Sequence, residues 1–330
     1  MQPGEFNSPT GLSVAPSGFL YVLEYATSRV QQLSSEGEPV ADWGEVGAKT
    51  KQFDEPLRLA NDGDGNLWIA DTGNRRIQWY SAAGELEGVF GTRGGKPGQF
   101  SHPVGLAFDS NNNLYVADSY NHRIQKIGRA SNVLQIYPDD PEKSNAPGFL
   151  STPWGVAVDS RDTVYVTDTG NHRIVRYTND GRHISTFGSL GTGDGQFNKP
   201  SDIAIDSDGN LLVVDSGNHR VQKFTPQGEF LYKWGQPGAA GGMFNNPQQI
   251  AVTSEGVVFI ADSGNHRIQK FLPREKNLLN SNAPIVGPKR PVFKPDDRGG
   301  DPSSLPPSSG LPSEGGSSSG GSQSDISDEL

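Results

Sequence analysis

The chain has 330 residues, a net charge of -10 and no cysteine. Without cysteine there are no disulfides, thiolate zinc sites or thiol catalysis, and the acidic balance argues against a dominant polyphosphate-binding surface. No run approaches the roughly 18 apolar residues of a membrane helix, and Met1-Gln2-Pro3-Gly4-Glu5-Phe6 has neither the basic start nor the apolar centre of a leader. A cytoplasmic location is the resulting expectation.

Taken in order, the chain is an array. A marker ending in arginine occurs as Thr27-Ser28-Arg29, Asn74-Arg75-Arg76, Asn121-His122-Arg123, Asn171-His172-Arg173, Asn218-His219-Arg220 and Asn265-His266-Arg267, with arginine spacings of 47, 47, 50, 47 and 47 residues. Such regularity is internal repetition. In the fifth copy, a proline at 200 precedes apolar runs at 203–206, 211–215, 221–224 and 230–234, separated by Gly, Asn and Asp turns. These runs predict four antiparallel strands.

A four-stranded unit of about 47 residues has the size of a propeller blade, and the helix period of a solenoid is absent. One unit is too small to bury its own apolar faces, so the copies must pack on one another. Six of them close a ring. The predicted fold is an all-β, six-bladed β-propeller over residues 1–272, followed by a Pro/Gly/Ser-rich segment, 273–330, expected to be disordered.

The Asn-His-Arg-Ile marker with its fixed flanking residues, recurring from Phe6 to Phe271, resembles the NHL-repeat family. That resemblance implies the same six-bladed propeller, similar to the one in tripartite-motif proteins but without RING, B-box or coiled coil. It names no partner, because the family includes protein-binding, RNA-binding and some enzymatic members.

Ring closure is the irregular part. Met1–Phe6 aligns with the stretch ending Pro97-Gly98-Gln99-Phe100, so the sequence starts within a repeat. Fourteen residues after the marker arginine, five copies carry an aromatic, Trp43, Phe90, Tyr137, Phe187 and Trp234, where the sixth carries Ser281. The sixth blade is therefore expected to lack its outer strand, or to use 278–286 as a makeshift edge. An uncovered edge invites strand pairing.

The recurring residues have structural readings. Asp71, Asp118, Asp168, Asp215 and Asp262, with Glu24 in the first copy, sit five positions before the marker arginine, where a carboxylate accepts loop amides or pairs with a guanidinium. His122, His172, His219 and His266 occupy one equivalent place. The Asp-x-x-Gly-Asn turns use Asp for local hydrogen bonding, with calcium as an alternative.

The departures carry the functional expectation. After each recurring proline, the second position is Gly in three copies but Arg58, Asp202 and Gln249 in the others, and the position before it holds Trp154 and Gln248. Tyr25, Arg75 and Tyr120 depart in the marker loop. All eight are expected at one rim, where aromatics and arginine make an interaction hot spot. An ion pair between Arg58 and Asp202 across the channel is the structural alternative.

Catalysis is not expected. The resemblance extends to the zinc-dependent lyase that completes peptide amidation, which places histidines directly after the inner-strand prolines. All six such positions here lack histidine, and His102 lies before Pro103. No cofactor or metal site is predicted. The expected role is a non-catalytic scaffold binding a protein or peptide, with RNA binding and a metal-dependent lyase of the peptide-amidating type as the alternatives.

Overall fold

The computed structural model describes residues 4–138 and 148–273. The segment from 274 onward, including the makeshift edge at 278–286 and nearly all of the expected disordered segment, lies outside the described residues. Six blades follow one another along the chain. Blade 1 comprises Pro9–Val14, Leu20–Glu24, Arg29–Leu33 and Pro39–Trp43, and blade 2 Arg58–Asn61, Leu67–Asp71, Arg76–Tyr80 and Leu86–Phe90. Blade 3 is Pro103–Phe108, Leu114–Asp118, Arg123–Ile127 and Val133–Tyr137; blade 4 is Pro153–Val158, Val164–Asp168, Arg173–Tyr177 and His183–Phe187. Blade 5 is Pro200–Ile205, Leu211–Asp215, Arg220–Phe224 and Phe230–Trp234. Blade 6 has three strands among the described residues, Pro247–Val252, Val258–Asp262 and Arg267–Phe271.

Each blade is an antiparallel meander in sequence order, as the short β-branched runs and tight turns dictate. Strand pairing fixes which loops share an end. In blade 5, Pro200 pairs with Asp215 and Asp215 with Arg220, whereas Ile205 pairs with Leu211 and Leu211 with Phe224. The prolines and marker loops therefore lie together on what we call the upper rim; the Asp-Gly turns form the lower rim.

Cores form between blades rather than within them. Tyr137 of blade 3 packs with Leu150, Val164 and Tyr177 of blade 4 and its approach, and Trp234 of blade 5 packs against Phe244 and Phe271 of blade 6 and its approach. One cluster joins Leu12, Leu20, Val22 and Leu33 of blade 1 to Phe259 and Ala261 of blade 6, which closes the ring. The interblade burial predicted for units this small is thus the observed arrangement.

The marker is a bracket for the loop that precedes it. In blade 5, Asp215 accepts Arg220 Nε at 2.7 Å, Asn218 Nδ2 at 2.9 Å, Gln222 Nε2 at 3.1 Å and the Asn198 amide at 2.7 Å. The Arg220 guanidinium also donates to the carbonyls of Thr192, Gly193 and Gln196 at 2.7 to 2.9 Å. Blade 1 repeats the design with the longer Glu24, which accepts Arg29 Nη2 at 2.8 Å and Gln31 Nε2 at 2.6 Å.

The histidines link neighbours. Nδ1 of His122, His172, His219 and His266 accepts the amides of Thr152, Lys199, Asn246 and Ser8, each the residue before the next blade's first proline. All four histidines have φ between 52 and 55°, in the left-handed region, which turns the ring toward that amide.

Candidate functional site

Two layers make up the upper rim. The deeper one is a plug in the central channel, and Arg58 is its hub. Its side chain is fully buried and donates from Nη1 to the carbonyls of Thr10 at 2.8 Å and Leu57 at 3.1 Å, and from Nη2 to those of Gln248 at 2.9 Å and Ser201 at 3.4 Å. One guanidinium thus ties the inner strands of blades 1, 5 and 6 to the start of its own in blade 2. Its carbon lies 5.7 Å from the ring centroid of Trp154 in blade 4, within cation–π range.

The other polar departures serve the same layer. Asp202 Oδ2 accepts the Ile250 amide at 3.0 Å, Gln249 Oε1 accepts the Leu12 amide at 2.9 Å, and Gln249 Nε2 donates to the Leu59 carbonyl at 3.1 Å. Gln248 donates to Asn246 Oδ1 at 2.9 Å. The glycines at this level permit close approach: a Cβ on Gly105 would meet the Trp154 carbonyl at 2.2 Å, and one on Gly155 the Asp202 Cα at 2.7 Å. Most first strands are bulged here, between Pro200 and Asp202 for example, which redirects these side chains.

The expectation that Arg58, Asp202, Gln248 and Gln249 present themselves at the opening is therefore corrected, because all four are buried and bonded beneath it. The hydrogen bonds of Arg58 go to carbonyls rather than to Asp202, so the two charges meet through their field across the channel, not as a bonded pair. Burial raises the Asp202 carboxyl to about 6, against the opposing pull of Arg58, and lowers the Arg58 guanidinium below its ordinary range.

The outer layer lies over blades 1 to 3, where two of the histidine links are missing. Ser28 and Arg75 replace histidine there, and the residues before the next prolines are Glu55 and His102. Each meets a tyrosine from the marker loop of another blade or its own. Tyr25 Oη donates to Glu55 Oε1 at 3.1 Å, and Tyr120 stacks on His102 with centroids 4.2 Å apart and planes 13° from parallel. Tyr120 is 59% exposed and Tyr25 39%. Arg75 turns back to the Gly73 carbonyl.

The cluster is electrostatically coupled. Burial holds the His102 imidazole below its ordinary range, with Glu55 and Asp118 pulling upward and Arg75 pushing down. Tyr25 is shifted upward, by burial first and then by its bond to Glu55. Glu55 had no signal within its own copy; the absence of a histidine at position 28 marks it, once the link between neighbouring blades is known.

Concave space opens on the lower rim. A cavity of about 420 Å³ is lined by Val14, Asn61, Asp62, Glu255, Phe259 and Lys270 at the junction of blades 6 and 1. Its Asp62 is already engaged, accepting Asn66 Nδ2 and Trp68 Nε1, both at 2.9 Å, as the turn reading of that aspartate predicts. No three His, Asp or Glu side chains converge as a metal-binding set among the described residues. Nor is any helix among them long and apolar enough to cross a membrane.

The NHL repeat family model matches residues 100–127, 150–177, 197–224 and 244–271. Among curated proteins, none matches the chain. Solved structures similar to it include a streptogramin B lyase, at 18% identity and TM-score 0.58, covering 84% of this chain and 88% of that one. Virginiamycin B lyase from Staphylococcus aureus matches at 18% identity and TM-score 0.58, with 83% and 89% coverage. A Bacteroides thetaiotaomicron protein of unknown function reaches TM-score 0.64 at 19% identity, with 81% and 70% coverage. At such identities the likeness concerns the fold alone. With four matched repeats inside a closed ring of six blades, the chain belongs to the NHL-repeat family of β-propellers.

Proposed function

We propose that the chain is a non-catalytic docking platform whose upper rim binds a protein or peptide through Tyr25, Arg75 and Tyr120, with Trp154 at its centre. One observation carries this reading: at the two seams lacking the histidine link, tyrosines are held by Glu55 and His102 yet remain exposed. Rigid aromatics with a polar tip supply contact area at little entropic cost. Arg58, Asp202, Gln248 and Gln249 support that surface from below. Among the described residues no three His, Asp or Glu side chains converge on a metal position, which favours recognition over the metal-dependent lyase alternative.

The test is partner capture by the Tyr25→Ala, Tyr120→Ala double variant. Loss of about 2 kcal/mol per hot-spot residue would reduce capture beyond detection, with the melting midpoint unchanged. Undiminished capture would contradict the reading. Binding of single-stranded oligonucleotides that falls steeply with salt would favour the RNA alternative instead.

A further inference from the structure

Among the described residues, blade 6 differs from the other blades at its outer edge. In blades 1, 2, 4 and 5 the outer strand ends in Trp43, Phe90, Phe187 or Trp234, followed by glycine at 44, 91, 188 or 235. These glycines have φ of 93 to 97°, and a Cβ on any of them would come within 2.4 to 2.7 Å of the phenylalanine ring that opens the next blade. That ring, Phe53, Phe100, Phe197 or Phe244, is fully buried in each case. The aromatic–glycine pair is thus the lid on each interblade core.

At the seam from blade 6 to blade 1 the equivalent ring is Phe6, and it is only half-buried. Its third strand is more open as well: Ile268 and Gln269 are half-exposed, whereas the matching Val221 and Gln222 of blade 5 are fully buried. Among the described residues, no strand pairs with the outer edge of Arg267–Phe271. The cluster beneath holds Leu12, Leu20, Leu33 and Phe259 with Phe6 and Ile268 at its margin, and it lacks the outer-strand aromatic that the other five interblade clusters contain.

The chain's own continuation does not carry the matching residues. In the other five blades the outer strand begins six residues after the last residue of the third. The same count from Phe271 gives positions 277 to 281, with Ser281 where the aromatic belongs and Asn282 where the glycine belongs.

We propose that the outer edge of blade 6 takes an extended strand from another polypeptide, antiparallel to Arg267–Phe271 and ending in an aromatic–glycine pair that caps Phe6 and Ile268. Main-chain pairing supplies affinity, and the aromatic seat supplies selectivity. This site lies apart from the upper-rim tyrosines and does not depend on them.

The probe is a fluorescent peptide copying residues 229–237, the outer strand of blade 5, titrated into the full chain by anisotropy. Saturable binding of one peptide per chain is expected, weakened at least tenfold when the peptide carries Trp234→Ala and likewise when the chain carries Ile268→Arg. The peptide variant leaves the folded chain untouched. No saturable binding overturns the proposal, as it must if residues beyond 273 already cover the edge. Equal binding of the two peptides overturns it too. Sedimentation should give a monomer carrying one peptide; a dimer that takes none assigns the edge to a second copy and contradicts the proposal.

Discussion

Arg58 shows how a charged residue becomes a structural centre. A buried guanidinium survives when most of its donors are bonded and a counter-charge is near; here backbone carbonyls take up both terminal nitrogens, Nε is left without a hydrogen-bond partner, and Asp202 supplies the charge. Arg58→Ala would strand Asp202 and release those carbonyls, so we expect a loss of about 3–5 kcal/mol in denaturant unfolding. A loss below about 1 kcal/mol would contradict the hub. Asp202 gives a pH signature. Its folded-state value, about 6, is raised above the ordinary 3.8, so the folded chain holds that proton more tightly than the unfolded one. The contribution is fully present below about pH 4 and is lost as pH rises toward 6. Relative to Asp202→Asn, the wild type should therefore lose on the order of 3 kcal/mol across that window and stay level above it. A flat difference would exclude the shift.

Among the elements, the seams fall into two kinds. Four are linked by histidine to the next blade's amide, and the two that enter blades 2 and 3 carry the tyrosine pairs instead. Replacing His219 by Ala removes one acceptor, so a loss of about 0.5–1.5 kcal/mol is expected, with faster amide exchange at Asn246. The repeat and the four-stranded unit were legible because both rest on spacing and alternation along the chain. The sealing of Arg58, Asp202, Gln248 and Gln249 was not, because alternation places a side chain toward the channel without telling how narrow the channel is. Bulges after the prolines and the close approach of neighbouring strands at Gly105 and Gly155 close it. Tyr25 and Tyr120 were visible as departures, whereas the Glu55 and His102 that hold them emerge only when adjacent copies are placed side by side in space.

At the scale of the described ring, recurring brackets join the blades, a buried hub pins its centre, and the irregular seams carry the proposed working surface. The lower rim has a cavity of about 420 Å³, but its Asp62 is consumed by the turn that builds it. The upper rim offers exposed aromatics on a rigid base. Photo-crosslinking tests that division most directly, with benzoylphenylalanine placed at Tyr120 and, as a comparison, at Leu231 on the outer strand of blade 5, which is 45% exposed. The account predicts polypeptide adducts from position 120 and none from 231. Equal adducts from both positions, or adducts from 231 alone, would contradict it.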